Sequence, residues 1–325
     1  MEMGRRVREG RKTVDVSSPQ ITPRIHTIAS RLAVDAATVQ VFGALGARSV
    51  SALLLKGPST APWMPPGGPD YYSDTDILVG PPERSSAEIV LTALGFELLP
   101  GATRPGAHDE HWERSDGAVV DVHRTIPGVG VSDADLWAVL SRDRAEVEVA
   151  GALIPTLSVP ARCVHIALHA LQNGVQGFRS LRLLGGAVES VEDTVWVEAV
   201  RLAAELDATE AFAAGLRMVS AGVQLANRLD LPSTYTRFEV AALAGGGRYD
   251  VISFDRFKQT RGLEAKAQFI RDRLAPTPIE LRWRMPLARR GPAGLVAAYL
   301  VNAGRVFRRA LGGLVGWVRL SRRGP

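Results

Sequence analysis

The chain has 325 residues, a formal net charge of +5 at pH 7 and 46% hydrophobic residues. This length suffices for two domains of ordinary size, and the apolar fraction suffices for packed cores. The single cysteine, Cys163, excludes an intrachain disulfide and disfavours a cysteine-based zinc site. The charged N-terminus lacks the apolar run of a secretory signal, and the longest apolar runs, such as Val50–Leu55, are too short to span a bilayer. We therefore expect a cytoplasmic protein without a transmembrane segment.

Short helices and strands alternate in the first part of the chain. Gly43 is expected to follow the end of a first helix, Pro23–Phe42, and Gly95 the end of a second helix, Ser85–Leu94. Ser85 or Ser86 is expected to cap the start of this second helix. The periodicity predicts a helix at Pro23–Phe42, strands at Val50–Leu55 and Ile77–Val79, a helix at Ser85–Leu94 and a strand at Phe96–Leu98.

A hairpin follows, because Asp116-Gly117 separates the strand-like runs His111–Arg114 and Ala118–His123. A helix at Asp133–Leu140 and a strand or hairpin at Val147–Ile154 complete this part. The sequence thus predicts an α+β fold, with a small mixed sheet that carries helices.

Strand signals end near Val159, where long helical patterns begin. We predict a basic flexible tail at 1–23, a sheet-containing domain at 24–155, a helical domain at 156–275 and a basic amphipathic region at 276–325. The linker between the two domains is expected near Pro155–Pro160, and Gly185-Gly186 and Gly245–Gly247 also look like linkers. The helical patterns cover Val159–Gln172, Val195–Leu206 and Glu210–Leu229.

Three carboxylates fall at positions where a sheet would bring them together. Asp74 and Asp76 are two residues apart at the start of a predicted strand, so they point to the same face. Asp121 lies within the apolar strand Val119–His123. Converging carboxylates repel one another and are costly to bury, and a divalent cation removes both problems. Two Mg²⁺ ions, or Mn²⁺ in their place, would suit in-line displacement at phosphorus. Without metal, Asp76→Asn is expected to relieve the repulsion.

The strand before these acids ends in a turn that could hold phosphate. Backbone N–H groups at Gly57 and the hydroxyl of Ser59 could bind a triphosphate, and Lys56 could add positive charge. His123 is two residues beyond Asp121 and faces the same side of its strand, where it could orient a substrate or act as an acid–base.

These motifs resemble the bacterial uncharacterised nucleotidyltransferase family of the DNA-polymerase-β-like nucleotidyltransferase superfamily. The resemblance implies a minimal nucleotidyltransferase domain at 24–155 that transfers a nucleoside monophosphate from ATP or another NTP. It implies metal binding and catalysis by Asp74, Asp76 and Asp121, with Ser73 beside Lys56, Gly57 and Ser59 at the nucleotide. The matching stretches are Leu55-Lys56-Gly57, Trp63 with Pro65, Ser73–Val79, Gly95-Phe96, His108 with His111, and Val120–His123.

Two features depart from the family pattern. Pro58 follows Gly57 and removes one N–H that could meet a phosphate. No arginine lies between Lys56 and Asp74, where the family tends to have one.

The remaining aromatic and imidazole side chains have structural interpretations as well. His165 and His169 share a helix face and could be a metal pair, but a polar core or interface role is favoured. His108 and His111 are expected in an exposed loop, and Tyr71 and Tyr72 could stack on a base or pack in their loop.

The acceptor stays open among a small molecule, a protein and an RNA. One alternative is a non-catalytic descendant that binds a nucleotide or a protein. Another is a toxin-like enzyme that acts on tRNA, which the basic ends of the chain suggest. The C-terminal region mixes arginines with apolar residues, a pattern that fits weak contact with an anionic surface or RNA, or packing on the second domain.

Overall fold

A computed structural model describes residues 23–66, 72–99, 108–245 and 249–323 of the chain. The first 22 residues of the predicted tail, Tyr71 and Gly246-Gly247 lie outside the described residues.

A mixed sheet of seven strands forms the centre of the described structure. The strands are β1 (Ala52–Leu54), β2 (Thr75–Val79), β3 (Phe96–Leu98), β4 (Asp109–Arg114), β5 (Val119–His123), β6 (Arg144–Val149) and β7 (Ala152–Leu157). Their order across the sheet is β3-β4-β5-β2-β1-β7-β6. The central β2 pairs antiparallel with β1 and parallel with β5, and the hairpins β4-β5 and β6-β7 extend the two sides. The predicted α+β fold is confirmed.

Helices cover both faces of this sheet and continue beyond it. They are α1 (Pro23–Ala47), α2 (Arg84–Ala93), α3 (Asp133–Arg142), α4 (Val159–Asn173), α5 (Phe178–Ser190), α6 (Asp193–Glu205), α7 (Thr209–Leu216), α8 (Ser220–Arg228), α9 (Phe238–Ala244), α10 (Tyr249–Gln259), α11 (Leu263–Leu274), α12 (Pro278–Arg284) and α13 (Gly291–Arg323). Single 3₁₀ turns lie at Gly57–Ser59, Ala61–Trp63 and Pro81–Glu83.

Alternation along the strands divides the apolar residues between two cores. Leu54 and Ile77 belong to the core that the sheet shares with α1 and α2, whereas Leu53 and Leu78 belong to the core that it shares with α4 and the helices after it. Successive side chains of a strand point to opposite faces, so each strand contributes to both cores. The first core also holds Val41, Phe42, Leu45, Val90 and Leu91, and the second holds Leu168, Trp196 and Phe212.

The predicted linker near Pro155–Pro160 is wrong. Strand β7 includes Pro155 and ends at Leu157, and α4 begins at Val159, so only Ser158 separates them. Leu157 lies in the same core as the residues of α4. Since one core joins the sheet to the helices, the chain passes from one to the other without a flexible segment.

Other helix boundaries also differ from the predictions. Helix α1 continues through Gly43 because Leu45 still packs in the first core, and α2 begins at Arg84, so Ser85 and Ser86 lie inside it. The predicted helix at Glu210–Leu229 is two helices, α7 and α8, and Gly185-Gly186 lies within α5 rather than in a linker.

Helix α1 contains the segment Thr27–Ala47, which has the length and hydropathy of a membrane-spanning helix. Core helices of soluble proteins pass the same test of composition. Val41 and Leu45 of this segment are buried against the sheet, and Thr38 bonds to Thr75 of β2 through its hydroxyl oxygen at 2.8 Å.

The two glycines of α5 generate a stability prediction. A Cβ at Gly186 would lie 1.9 Å from the carbonyl oxygen of Trp63, whereas a Cβ at Gly185 would meet nothing within 4 Å. Gly186→Ala should lower the free energy of unfolding by about 1–3 kcal/mol, because backbone must move to admit the methyl group. Gly185→Ala should leave it unchanged or raise it by up to about 1 kcal/mol, through better helix propensity. Urea unfolding of the two variants provides the test, and equal effects would contradict the close approach of α5 to Trp63.

Candidate active site

The pairing of β2 with β5 brings the three predicted carboxylates together. These strands are parallel neighbours, and Asp76 lies directly opposite Asp121 in their register. Asp74 precedes β2 on the same face. One carboxylate oxygen from each of Asp74, Asp76 and Asp121 lies within 4.8 Å of the others, a spacing that allows one metal ion to be shared. The predicted convergence of the three acids is confirmed.

Asp76 is the most deeply buried of the three acids, with 1% of its surface exposed. Its Oδ1 accepts hydrogen bonds from Lys56 Nζ at 2.9 Å and His123 Nε2 at 3.0 Å. Burial alone would raise the pKa of this carboxyl, but Lys56 and His123 overcome that effect and hold it well below its usual value. Asp76 is therefore ionised, and its second oxygen, Oδ2, is buried without a hydrogen-bond partner.

Asp74 differs from Asp76, because its pKa is raised and not lowered. Burial raises the pKa of the Asp74 carboxyl to about 6, and the charge of Asp76 adds to the rise, against the opposing charges of Lys56 and Arg179. The repulsion expected at Asp76 thus falls on Asp74. Asp76→Asn would remove this repulsion, as expected from the sequence, but it would also remove the charge that Lys56 and His123 contact directly.

Asp121 pairs with a histidine that sequence reasoning placed in an exposed loop. His111 lies opposite Asp121 in the β4-β5 hairpin, and its Nδ1 is 2.5 Å from Asp121 Oδ1. This hydrogen bond raises the pKa of the His111 imidazole, against the effect of partial burial. The hairpin register therefore supplies an orienting partner for the third acid.

The turn after β1 holds the predicted nucleotide-binding residues. Gly57 has a φ of +72°, which a residue with a side chain rarely adopts, and it packs against the ring of Tyr72. Burial would lower the pKa of the Lys56 ammonium, but Asp76, Asp74 and Asp121 together raise it. Ser59 is buried with its hydroxyl unpaired, and Ser73 is exposed at the start of the Asp-x-Asp segment.

Helix α4 brings further imidazoles to the acids. A cavity of about 170 Å³ lies between this helix and the sheet. His165 is buried, its Nδ1 lies 3.2 Å from the carbonyl oxygen of Leu55, and burial with the charge of Lys56 lowers its pKa to about 3. The cavity is lined by Lys56, Asp76, His108, Asp109, Asp121, His123, Ile126, Pro127, His165, His169 and Gln172.

Sequence reasoning separated these histidines from the acids. His165 and His169 are four residues apart on α4, and this spacing was the available signal, but nothing local showed which surface that face would meet. His108 also lines the cavity, so the predicted exposed loop for it is wrong. His123 lies beside Asp121 as the alternation predicts, with its Nδ1 buried and unpaired.

Tyr72 has a structural role. It is 3% exposed, its hydroxyl donates to Asp35 of α1, and Arg31 of α1 donates to that hydroxyl at 3.3 Å. These contacts fix the chain just before Asp74. Tyr72 therefore packs within its loop, and its ring is not free to stack on a base.

A profile of the family described as uncharacterised nucleotidyltransferase matches residues 23–222, more than half of the chain. The chain belongs to this family. The match extends from α1 through the sheet and α4 into α8, so it includes the acids and the helical histidines alike. The family resemblance inferred from the sequence motifs is confirmed.

Two solved structures share a distant likeness with this family member. The antibiotic-resistance factor ANT(2'')-Ia is 12% identical, covers 57% of this chain and 96% of its own, and has a TM-score of 0.37. A nucleotidyltransferase-like protein from Paracoccidioides brasiliensis is 14% identical, covers 55% and 92%, and has a TM-score of 0.32. No curated protein matches the chain. The assignment therefore rests on the family match.

The contrast between Asp74 and Asp76 predicts opposite effects in metal-free protein. The pKa of Asp74 is raised to about 6. Ionising it thus costs stability above about pH 6, and this cost disappears below about pH 4, near the unfolded pKa. Asp74→Asn should therefore raise the free energy of unfolding by about 1–3 kcal/mol at neutral pH, with no gain near pH 4.

Asp76→Asn should instead destabilise the metal-free protein. The lowered pKa of Asp76 means that its stabilising contribution is complete above about pH 4 and declines as the pH falls further. In the Asp76→Asn variant, Lys56 and His123 lose their negatively charged partner. This loss should lower the free energy of unfolding by about 1–3 kcal/mol at neutral pH. Urea unfolding in EDTA, at neutral pH and near pH 4, measures both effects. A lower free energy of unfolding for Asp74→Asn than for wild type at neutral pH would contradict the raised pKa of Asp74.

Proposed function

We propose that this protein is a Mg²⁺-dependent nucleotidyltransferase that moves a nucleoside monophosphate from an NTP to the hydroxyl of an acceptor. The observation that carries the proposal is the cluster of Asp74, Asp76 and Asp121, whose carboxylate oxygens lie within 4.8 Å of one another. The family assignment supports the reaction class.

The donor set fits a hard divalent cation. Each of the three acids offers carboxylate oxygen, which is the ligand type that Mg²⁺ prefers, and Mn²⁺ accepts it too. Asp76 Oδ2 is buried without a hydrogen-bond partner, and a buried ionised oxygen of this kind requires a cation or a donor. We assign Asp74 and Asp76 to both ions, and Asp121 to the ion on the acceptor side. The bound metal would neutralise the phosphates and activate the acceptor hydroxyl.

Lys56 and Gly57 are assigned to the triphosphate. Lys56 Nζ bonds to Asp76, and its side chain is 23% exposed, so it can turn to a phosphate oxygen when other positive charge neutralises Asp76. Ser73 is exposed beside Asp74 and can donate its hydroxyl directly. Ser59 is 1% exposed, so its contact with the triphosphate would require the Gly57–Ser59 turn to shift.

Arg179 is a candidate for the positive charge that the loop before Asp74 lacks. It lies on α5, is exposed, and its charge acts on Asp74. Arginine can bind phosphate oxygens through two parallel hydrogen bonds. An arginine from a helix would thereby compensate for its absence between Lys56 and Asp74.

The imidazole-lined cavity is assigned to the acceptor. Burial lowers the pKa of His108, His165 and His169, so these rings are neutral at physiological pH and can both donate and accept hydrogen bonds. A second cavity of about 190 Å³ shares His108 and Gln172 with the first and continues along α4. Such a lining suits a polar, hydroxyl-bearing acceptor. His123, beside Asp76 and Asp121, is assigned to orienting that hydroxyl.

A second candidate is a non-catalytic nucleotide-binding protein. Lys56 already bonds to Asp76, and His111 already bonds to Asp121, so two of the three acids have partners within the protein. A site that had lost its metal would need such internal neutralisation. This candidate predicts nucleotide binding without release of pyrophosphate.

The transfer assay uses labelled NTPs, Mg²⁺ and cell extract as the source of the acceptor. Asp74→Asn, Asp76→Asn and Asp121→Asn should each reduce pyrophosphate release at least about a hundredfold, because each removes a ligand that acts in the transition state. The control is Asp143→Asn, which changes an exposed acid outside the cavity and should keep full activity.

Stabilisation by Mg²⁺ and NTP separates the two candidates. An active wild type that loses transfer in the three variants supports the enzyme. A wild type that is stabilised by Mg²⁺–NTP yet releases no pyrophosphate with any extract supports the non-catalytic candidate. Unchanged transfer in the Asp76→Asn variant would exclude the proposed metal centre.

A further inference from the structure

The long C-terminal helix α13 lies against the protein along one face only. Gly313 and Gly316 set this orientation, because a Cβ at Gly313 would lie 2.3 Å from the carbonyl oxygen of Asp250, and one at Gly316 would lie 2.5 Å from a methyl group of Val251. Both contacts are with α10. At the start of the helix, Ala298 is buried in a small core with Leu281 of α12.

The opposite face of α13 exposes an apolar stripe. The spacings of four, seven, four and three residues keep the stripe on one side of the helix over about 27 Å, at 1.5 Å per residue. Soluble surfaces rarely carry so continuous an apolar patch without a partner. The stripe consists of Val296, Leu300, Phe307, Leu311 and Leu314, which are 60%, 70%, 66%, 48% and 39% exposed.

Arginines lie beside this apolar stripe. The helix has six arginines and no acidic residue. Arg305, Arg308 and Arg319 are exposed, and none of them forms an ion pair within the described part of the chain. At 100° per residue, Arg308 and Arg319 lie about 100–115° around the helix from the middle of the stripe, on the flank between the stripe and the face that contacts α10.

We propose that α13 binds the surface of an anionic lipid bilayer, with its apolar stripe in the boundary between headgroups and acyl chains. Long arginine side chains reach up to the lipid phosphates while their helix lies at this depth. The arginines match the negative charge of the headgroup layer, and the apolar stripe matches the acyl chains beneath it. Among the described residues, only a segment of α1 has the length and composition of a spanning helix, and the proposal places α13 along the interface.

Two other occupants fit the surface less well. An RNA backbone would use the arginines but would leave the apolar stripe in water. A second copy docked through the stripe would bring together two helices that each have six arginines and no acid to pair with them. A bilayer uses the stripe and the arginines at once, and this function is independent of the proposed transfer reaction.

Flotation of the full-length protein with large unilamellar vesicles tests the proposal. Wild type should float with vesicles of phosphatidylcholine and phosphatidylglycerol, and added salt should weaken the binding. Leu300→Gln, Phe307→Gln and Leu311→Gln together should weaken it at least about tenfold. The control combines Leu153→Gln, Val175→Gln and Leu263→Gln, which change side chains that are at least as exposed and should bind like wild type.

Replacing Arg305, Arg308 and Arg319 by glutamine should weaken binding to the anionic vesicles by about fivefold for each arginine. Pure phosphatidylcholine vesicles should not show this difference. Circular dichroism and thermal unfolding establish that each variant is folded, and the single variant Leu300→Gln replaces the triple variant if that one unfolds.

Four outcomes would overturn the proposal. The first is that wild type fails to float with anionic vesicles, and the second is that the stripe variant floats as well as wild type. The third is salt-sensitive binding to RNA with no flotation, which would assign the helix to nucleic acid. The fourth is a dimer in sedimentation that the stripe variant abolishes, with no flotation, which would assign the stripe to a second copy.

Discussion

The parallel pairing of β2 with β5 is the constraint on which the candidate site depends. Asp76 and Asp121 are opposite each other only in this register, and a shift of one residue would turn one of them to the other face of the sheet. The apolar residues between the acids fix the register, because Ile77 and Val122 must face the core beneath α1 and α2. Packing on one face thus positions charge on the other.

Helix α4 covers the face that carries the acids, and this covering gives the acids their chemistry. A carboxylate in water has no need of a particular partner, whereas a carboxylate under a helix must be paired, protonated or bound to metal. The structure pairs one acid, and the other keeps its proton up to about pH 6. Asp76 is paired with Lys56 and His123, while Asp74, with less help, has a raised pKa.

Glycines decide how closely the helices approach their neighbours. Gly186 lets α5 contact the backbone at Trp63, beside the turn that follows β1, and Gly313 lets α13 contact the backbone of α10. The first contact holds α5 beside this turn, and the second determines which face of α13 is left to solvent. In both helices, the absence of a Cβ at one position lets the helix pack closely, and this packing fixes which of its faces is exposed.

The sequence by itself determined the elements whose signal is local. The two-residue spacing of Asp74 and Asp76 required a common face, and Asp116-Gly117 required a tight turn that carries Asp121 back beside its neighbours. The family resemblance followed from the same motifs.

Only the tertiary structure decided which of these residues share an environment. His165 is 110 residues from Leu55 in the chain, and the carbonyl that it meets becomes its neighbour only when α4 packs on the sheet. The pairing of β1, β2 and β5 likewise decided that Asp76 contacts Lys56 and His123 directly, whereas Lys56 acts on Asp74 through its charge alone. The roles of identical side chains depend on burial and on nearby charges, and both are properties of the folded chain that local spacing does not contain.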